Sequence, residues 1–183
     1  RKVLGDYQSN PFIIAMWSPP TRPQGIEAEV VLEEDMRMGK DVKDKIVFNS
    51  THHHPKTIKR EAYDRGAIGI ISDWAEHRID IPDGIYWNNE WTDGVGWHYT
   101  KEDSNIWCLS MTPRTGTYLR ELMRNNGTPV KLRATIKSHL YNGTWDVVTG
   151  VIPGSTKDCG EILLMAHLYE PMPNDNAAGA GAG

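Results

Sequence analysis

The sequence predicts a mixed α/β protein whose architecture changes near its carboxyl end, and three stretches carry that reading. An apolar run, an amphipathic helix and a second apolar run follow one another between Asp44 and Ser72. Residues 130 to 136 alternate apolar with mostly charged side chains, and after residue 145 the apolar runs lose any polar face. Period two marks a strand with one wet face, and a short unbroken apolar run fits a strand covered on both sides.

Asp44-Lys45-Ile46-Val47-Phe48-Asn49 is an apolar run between polar residues and reads as a strand. Pro55 to Gly66 puts Ile58, Ala62 and Tyr63 on one side of a helix, with Gly66 where a left-handed cap belongs. Ala67 to Ser72 is a second buried strand. A unit this short implies two parallel strands joined by a right-handed crossover.

Residues 74 to 107 hold Trp74, Trp87, Trp91, Trp97 and Trp107 among Asn, Asp and Gly without a sustained period. That is the pattern of an ordered, loop-rich excursion. The favoured reading packs most of the indoles as a small satellite cluster, and a surface that stacks sugar or peptide is the alternative. Beyond it, Thr112 and Pro113 form an N-cap and first helical position, Tyr118, Leu119, Leu122 and Met123 an apolar stripe, and Asn126-Gly127 a stop. Val130, Leu132, Ala134 and Ile136 then alternate with Lys131, Arg133, Thr135 and Lys137. Two more strands are expected at Val147–Ile152 and Glu161–Ala166, the second a central one with His167 at its end. Small residues after Asn174-Asp175-Asn176 read as a helix beginning against a strand, so the chain is expected to stop inside a domain. Residues 1 to 140 thus form one domain and 145 to 183 the start of another.

The composition excludes several classes. At 39% hydrophobic, 24% charged and a net charge of -4, the chain carries no apolar stretch able to span a bilayer and no basic face for nucleic acid. Cys108 and Cys159 fit neither a metal pattern nor a disulfide framework, and one disulfide or two free thiols are both open. The chain begins at Arg1 rather than Met, which is read as removal of an amino-terminal piece. Asn49-Ser50-Thr51, Asn126-Gly127-Thr128 and Asn142-Gly143-Thr144 match the glycosylation acceptor pattern, the second weakened by Pro129. An extracellular or otherwise exported location is suspected.

His167 and Asp175 are the candidate site residues, because ligands gather at the carboxyl ends of strands and both side chains are good zinc ligands. A hydrogen-bonded His and an ordinary Asx turn are the bland alternative. Adjacent His52, His53 and His54 point in different directions and read as a solvated loop, and Glu33, Glu34 and Asp35 as a solvated face. Ser155 lacks the strand-elbow-helix setting of a nucleophile.

Lys40 to Val47, Lys59 to Ala62 and Arg65 to Ile71 together resemble the protease-associated domain, with its mixed, barrel-like sheet and flanking helices. Val147 to Ser155, Glu161 to His167 and Asn174 to Gly179 resemble the opening of the zinc aminopeptidase family, which includes glutamate carboxypeptidase II and the transferrin receptor. The resemblance implies that His167 ligates one zinc and Asp175 bridges two. It further implies metal-assisted hydrolysis of an N-terminal peptide bond, a peptide substrate, and a protease-associated domain that covers the active-site cleft. The family's general base and remaining ligands are expected beyond Gly183. Where the family has His-x-Asp, this sequence has Tyr169, and a non-catalytic binding protein on the same fold is the rival function. A strand bearing His167 without its covering helices leaves association between copies open.

Overall fold

The computed structural model describes residues 2–75, 80–94, 98–144, 146–156, 160–168 and 176–182. The chain divides into two units, Arg1–Asn142 and Gly143–Gly183. The first holds β1 (Ile26–Leu32), α1 (Glu33–Arg37), β2 (Ile46–Phe48), α2 (Lys56–Asp64), β3 (Gly69–Ser72), β4 (Trp107–Ser110), α3 (Pro113–Asn125) and β5 (Lys131–Ala134). The second holds α4 (Ala177–Ala182).

The five strands make one curled, half-barrel sheet in the order β4-β3-β2-β1-β5. β1 to β4 are parallel, with Val30 opposite Ile46, Ile46 opposite Gly69 and Gly69 opposite Trp107. β5 closes the outer side of β1 in the antiparallel sense, Leu132 facing Ala28. Successive residues point to opposite faces, so β1 to β4 each feed two cores, and β5 feeds one. Val31, Val47 and Ile70 pack with Ile58 and Ala62 of α2 on one face. Val30, Ile46, Phe48 and Ile71 pack with Leu119 of α3 on the other. A layer on each face is why β2 and β3 are buried at every residue and can be apolar throughout.

Local chemistry sets the element ends. Gly66 has a φ of +81°, and the backbone N–H of Ala67 donates to the Ala62 carbonyl at 2.9 Å, closing α2 as its sequence suggests. The Thr112 hydroxyl accepts from the backbone N–H of Thr115 at 3.1 Å, with Pro113 at the first helical position. Lys131, Arg133 and Lys137 are exposed while Val130, Ala134 and Ile136 are buried, in keeping with the alternation. Two strands were not expected: β1, and β4, which begins at Trp107 where the excursion was read to end.

The excursion is organised around a buried cation. Lys59 of α2 is 1% exposed, with its Nζ 3.0 Å from Asp93 Oδ1, 3.9 Å from Asp103 Oδ1 and 3.1 Å from the Trp91 carbonyl. Asp93 accepts from the backbone and hydroxyl of Ser104, both at 2.7 Å, and Asp103 accepts from the backbone N–H groups of Asp93 and Thr100. The indoles do not gather in one satellite cluster. Trp91 is fully buried in the core with its Nε1 donating to Ile106 O at 2.8 Å, and Trp107 is a residue of β4. Trp74 packs on Tyr86, and Trp87 on Phe12. Trp97 lies outside the described residues.

In the second unit the two expected strands are not formed. Val147–Ile152 and the described part of 160–168 pair with no strand, and Ile152 and Ile162 are 96% and 91% exposed. An apolar run becomes a central strand only when neighbours supply the ladder and layers cover both faces, and no described residues do so here. α4 does begin at Ala177, after Asn176, as the small-residue run suggests.

Burial pulls the Asp93 carboxyl upward, but hydrogen bonds from Ser104 and Lys59 outweigh it and leave Asp93 below the usual carboxylate range. Asp103 is lowered in the same way, burial opposing bonds from the Asp93 and Thr100 backbone. Groups whose folded pKa lies below the unfolded value of about 3.9 stabilise the fold above that pH and lose the contribution as pH falls through the folded pKa. Lys59→Met is therefore expected to lower stability at neutral pH by roughly 3 to 5 kcal/mol. It should also move the acid transition, followed by intrinsic Trp fluorescence, to higher pH. An unchanged acid midpoint would remove Lys59 as the anchor of the excursion.

Candidate functional site

The first residue beyond each of β1, β2 and β3 is polar and buried: Glu33, Asn49 and Asp73 are 1%, 0% and 1% exposed. They lie along the carboxyl edge of the parallel sheet, Asp73 one residue beyond the level of the other two, and this edge is the place where α/β folds hold ligands. Arg120 of α3 reaches this edge. Its guanidinium pairs with Asp73, Nη2 lying 2.9 Å from Oδ1, donates to the Asn49 carbonyl at 2.9 Å, and lies 4.0 Å from the centre of the Phe48 ring. Asn49 Nδ2 donates to Ser50 O at 2.7 Å, His53 O at 2.6 Å and Ser72 Oγ at 3.3 Å.

Glu33 corrects the reading of 33–35 as a solvated face. Its Oε2 accepts from the Ser50 backbone at 2.7 Å and its Oε1 from Arg37 Nε at 2.8 Å, with His53 Nδ1 at 3.4 Å. The first turn of α1 tucks this one acid beneath the loop after β2, while Glu34 stays exposed. The three histidines do form a loop. His52 and His53 are exposed, and His54 packs edge-on to Trp74 at 4.5 Å and accepts from the Lys56 backbone through Nδ1. Among the described residues no group of three or more His, Cys, Asp or Glu could hold a metal ion.

The edge therefore acts as a lock. Arg120 and Thr51 engage Asp73, while Arg37 and Ser50 engage Glu33. The strand order also runs in one direction from β1 to β4, so no reversal splits the parallel strands into a crevice. A separate apolar cavity of about 490 Å³ lies on the α3 face, walled by Ile46, Ile71, Trp107, Leu119 and Leu122. Cys108 is buried with a free thiol, and burial pushes that thiol far above its ordinary value, which leaves it inert. Its suggested partner Cys159 lies outside the described residues.

His167 is exposed and in no strand, contrary to its expected place at the end of one. Asn176 Nδ2, immediately before α4, donates to the His167 carbonyl at 3.4 Å. Asp175 and Tyr169 lie outside the described residues.

No protein-family model matches the chain, and a search of curated proteins gives no match. Among solved structures, the chain is similar to an aminopeptidase from Aneurinibacillus sp. strain AM-1, with 18% identity and a TM-score of 0.48, over 67% of this chain. It is also similar to a peptidase M28 precursor from Shewanella amazonensis SB2B, with 14% identity and a TM-score of 0.36, again over 67% of this chain. The match covers 26% and 31% of the lengths of those two proteins.

Gly116 is what admits Asp73 to the lock, because a Cβ at 116 would sit on the Asp73 carboxylate, well inside van der Waals contact. Alanine is preferred to glycine within a helix by about 1 kcal/mol, so the two effects oppose each other and the collision is the larger. Gly116→Ala should lower stability in urea unfolding, and the same change should cost less in an Asp73→Gly background, which removes the Cβ of residue 73 along with its carboxylate. Stabilisation by the single substitution would show that α3 does not close over Asp73.

Proposed function

We propose that the chain is the amino-terminal part of a zinc-dependent aminopeptidase: residues up to about 140 form a protease-associated domain, and His167 and Asp175 supply two of the ligands for a pair of zinc ions. The observation that carries the reading is the sequence of 161–179, where an apolar run ends in His167 and Asn174-Asp175-Asn176 precedes small residues. The bond from Asn176 to the His167 carbonyl supports it, since it brings the residue after Asp175 to the backbone of His167. An imidazole and a carboxylate suit zinc as a donor set. When bound, zinc would polarise the scissile carbonyl and lower the pKa of water. The mixed sheet supports the assignment of the first unit, which in this role would shape access of a peptide to the cleft.

Tyr169, at the position of the family's orienting Asp, favours a second reading, a binding protein that keeps the fold without the chemistry. The two part on one experiment. The chain is produced with its native downstream sequence and assayed with an aminoacyl chromogenic substrate, with and without a chelator. Turnover that the chelator abolishes, and that falls on the order of a hundredfold or more in His167→Ala, supports the enzyme. Zinc-independent turnover, or turnover indifferent to His167, sinks it, and stable folding without turnover supports the binding protein. The 183 residues alone are expected to be inactive, because two ligands fall short of the three protein ligands that a catalytic zinc takes.

A further inference from the structure

Three acceptor sequences for N-linked glycan stand in this chain, and the fold separates them. Asn49 is fully buried, and its Nδ2, the nitrogen that would carry a sugar, donates to Ser50 O, His53 O and Ser72 Oγ. A glycan there would replace one of the two protons that this nitrogen donates and force a polar, bulky group into the carboxyl edge of the sheet, between β2 and β3. Asn126 is exposed, but its Nδ2 donates to Thr128 O at 2.7 Å and Thr128 Oγ1 at 3.0 Å, folding the sequence onto its own threonine just ahead of Pro129. Asn142 is exposed in irregular backbone, the last residue of the first unit, and Gly143 and Thr144 beside it are exposed as well. No helix or strand would have to open for an enzyme to bind these three residues in extended form.

The structure assigns Asn142 as the acceptor for an N-linked oligosaccharide and closes Asn49 to it in any folded molecule. The donor class is a lipid-pyrophosphate-linked oligosaccharide, used by a membrane-bound oligosaccharide transferase. The Asn142 amide nitrogen forms a bond to the anomeric carbon of the first sugar, and the bond from that carbon to the pyrophosphate oxygen breaks. The lipid pyrophosphate leaves with the bonding pair, and the amide proton passes to a base of the transferase. In an exported chain, transfer takes place before folding is complete. The burial of Asn49 therefore acts afterwards: a molecule modified there cannot seat Asn49 in its buried place at the sheet edge and is retained as unfolded. This assignment stands apart from the peptidase reading and needs none of its residues.

The test is to export the full 183-residue chain behind a secretion leader in yeast or mammalian cells and to collect both the secreted and the cell-retained protein. Peptide N-glycosidase converts a glycosylated Asn to Asp, which peptide mass mapping locates. Asp at 142 and unconverted Asn at 49 are expected in the secreted protein. Both Asn142→Gln and Thr144→Ala should abolish the glycosidase-dependent mobility shift, and since both residues are exposed, secretion should continue. An unmodified Asn142 in both pools, a glycan at Asn126 in its place, or Asp at 49 in secreted molecules would each overturn the assignment.

Discussion

Arg120 reaches from α3 to the ends of two strands at once. It pairs with Asp73 beyond β3, donates to the Asn49 carbonyl beyond β2 and lies on the Phe48 ring. An aspartate as buried as this one is tolerated only with a partner and a full set of hydrogen bonds. That requirement fixes the helix at the one height where the guanidinium meets the carboxylate and where Gly116, one turn earlier, leaves room for it. Leu119 then falls onto the sheet beside Ile46, Phe48 and Ile71. The second core thus depends on a polar contact at its rim.

The other face shows the same logic with the signs exchanged. Lys59 brings a cation into the core from α2, and Asp93 and Asp103 arrive from the excursion to meet it. The two carboxylates also receive the backbone N–H groups of Ser104, Asp93 and Thr100, so one cluster meets a buried cation and shapes a loop whose described residues form no helix or strand. Trp91 shields the ammonium from solvent, its ring centre 5.3 Å away. Together the two clusters explain why a sheet of short strands holds a long irregular insertion: charged groups meet across the elements and leave little freedom for either partner.

The pattern of residues was most legible where a single element decides its own form. The β2-α2-β3 unit could be read from its apolar runs and Gly66, α3 from Thr112-Pro113, and β5 from its alternation. β1 escaped because Glu27 and Glu29 alternate with Ala28 and Val30 but then run into Val31 and Leu32, mixing the pattern of a wet face with that of a buried strand. β4 is four residues whose strand state is conferred by β3. The lock was invisible for a related reason: Asp73 and Arg120 look like ordinary surface charges until the fold joins them, and a glycine one turn before an inward arginine was the only trace. The failure in the second unit is the reverse case. Val147–Ile152 and Ile162–Met165 have the composition of central strands, but composition does not supply the neighbours that make them so. His167 kept its motif and lost its strand.

Sheet connectivity also bears on the order in which the chain can fold. β2 and β3 meet after a short crossover, and β4 adds to the growing edge. The opposite edge waits, because β1 at residues 26–32 is finished only by β5 at 131–134, after α3 has carried the chain from one side of the sheet to the other. Loop-closure entropy grows slowly with length, about 0.6 kcal/mol for each doubling, so the delay is one of time more than of stability. During synthesis from the amino end, the outer hydrogen-bonding groups of β1 stay uncovered until nearly the whole first unit has emerged. Glu27 and Glu29 keep that waiting strand charged along one face, a safeguard against pairing with a neighbouring chain in the interval.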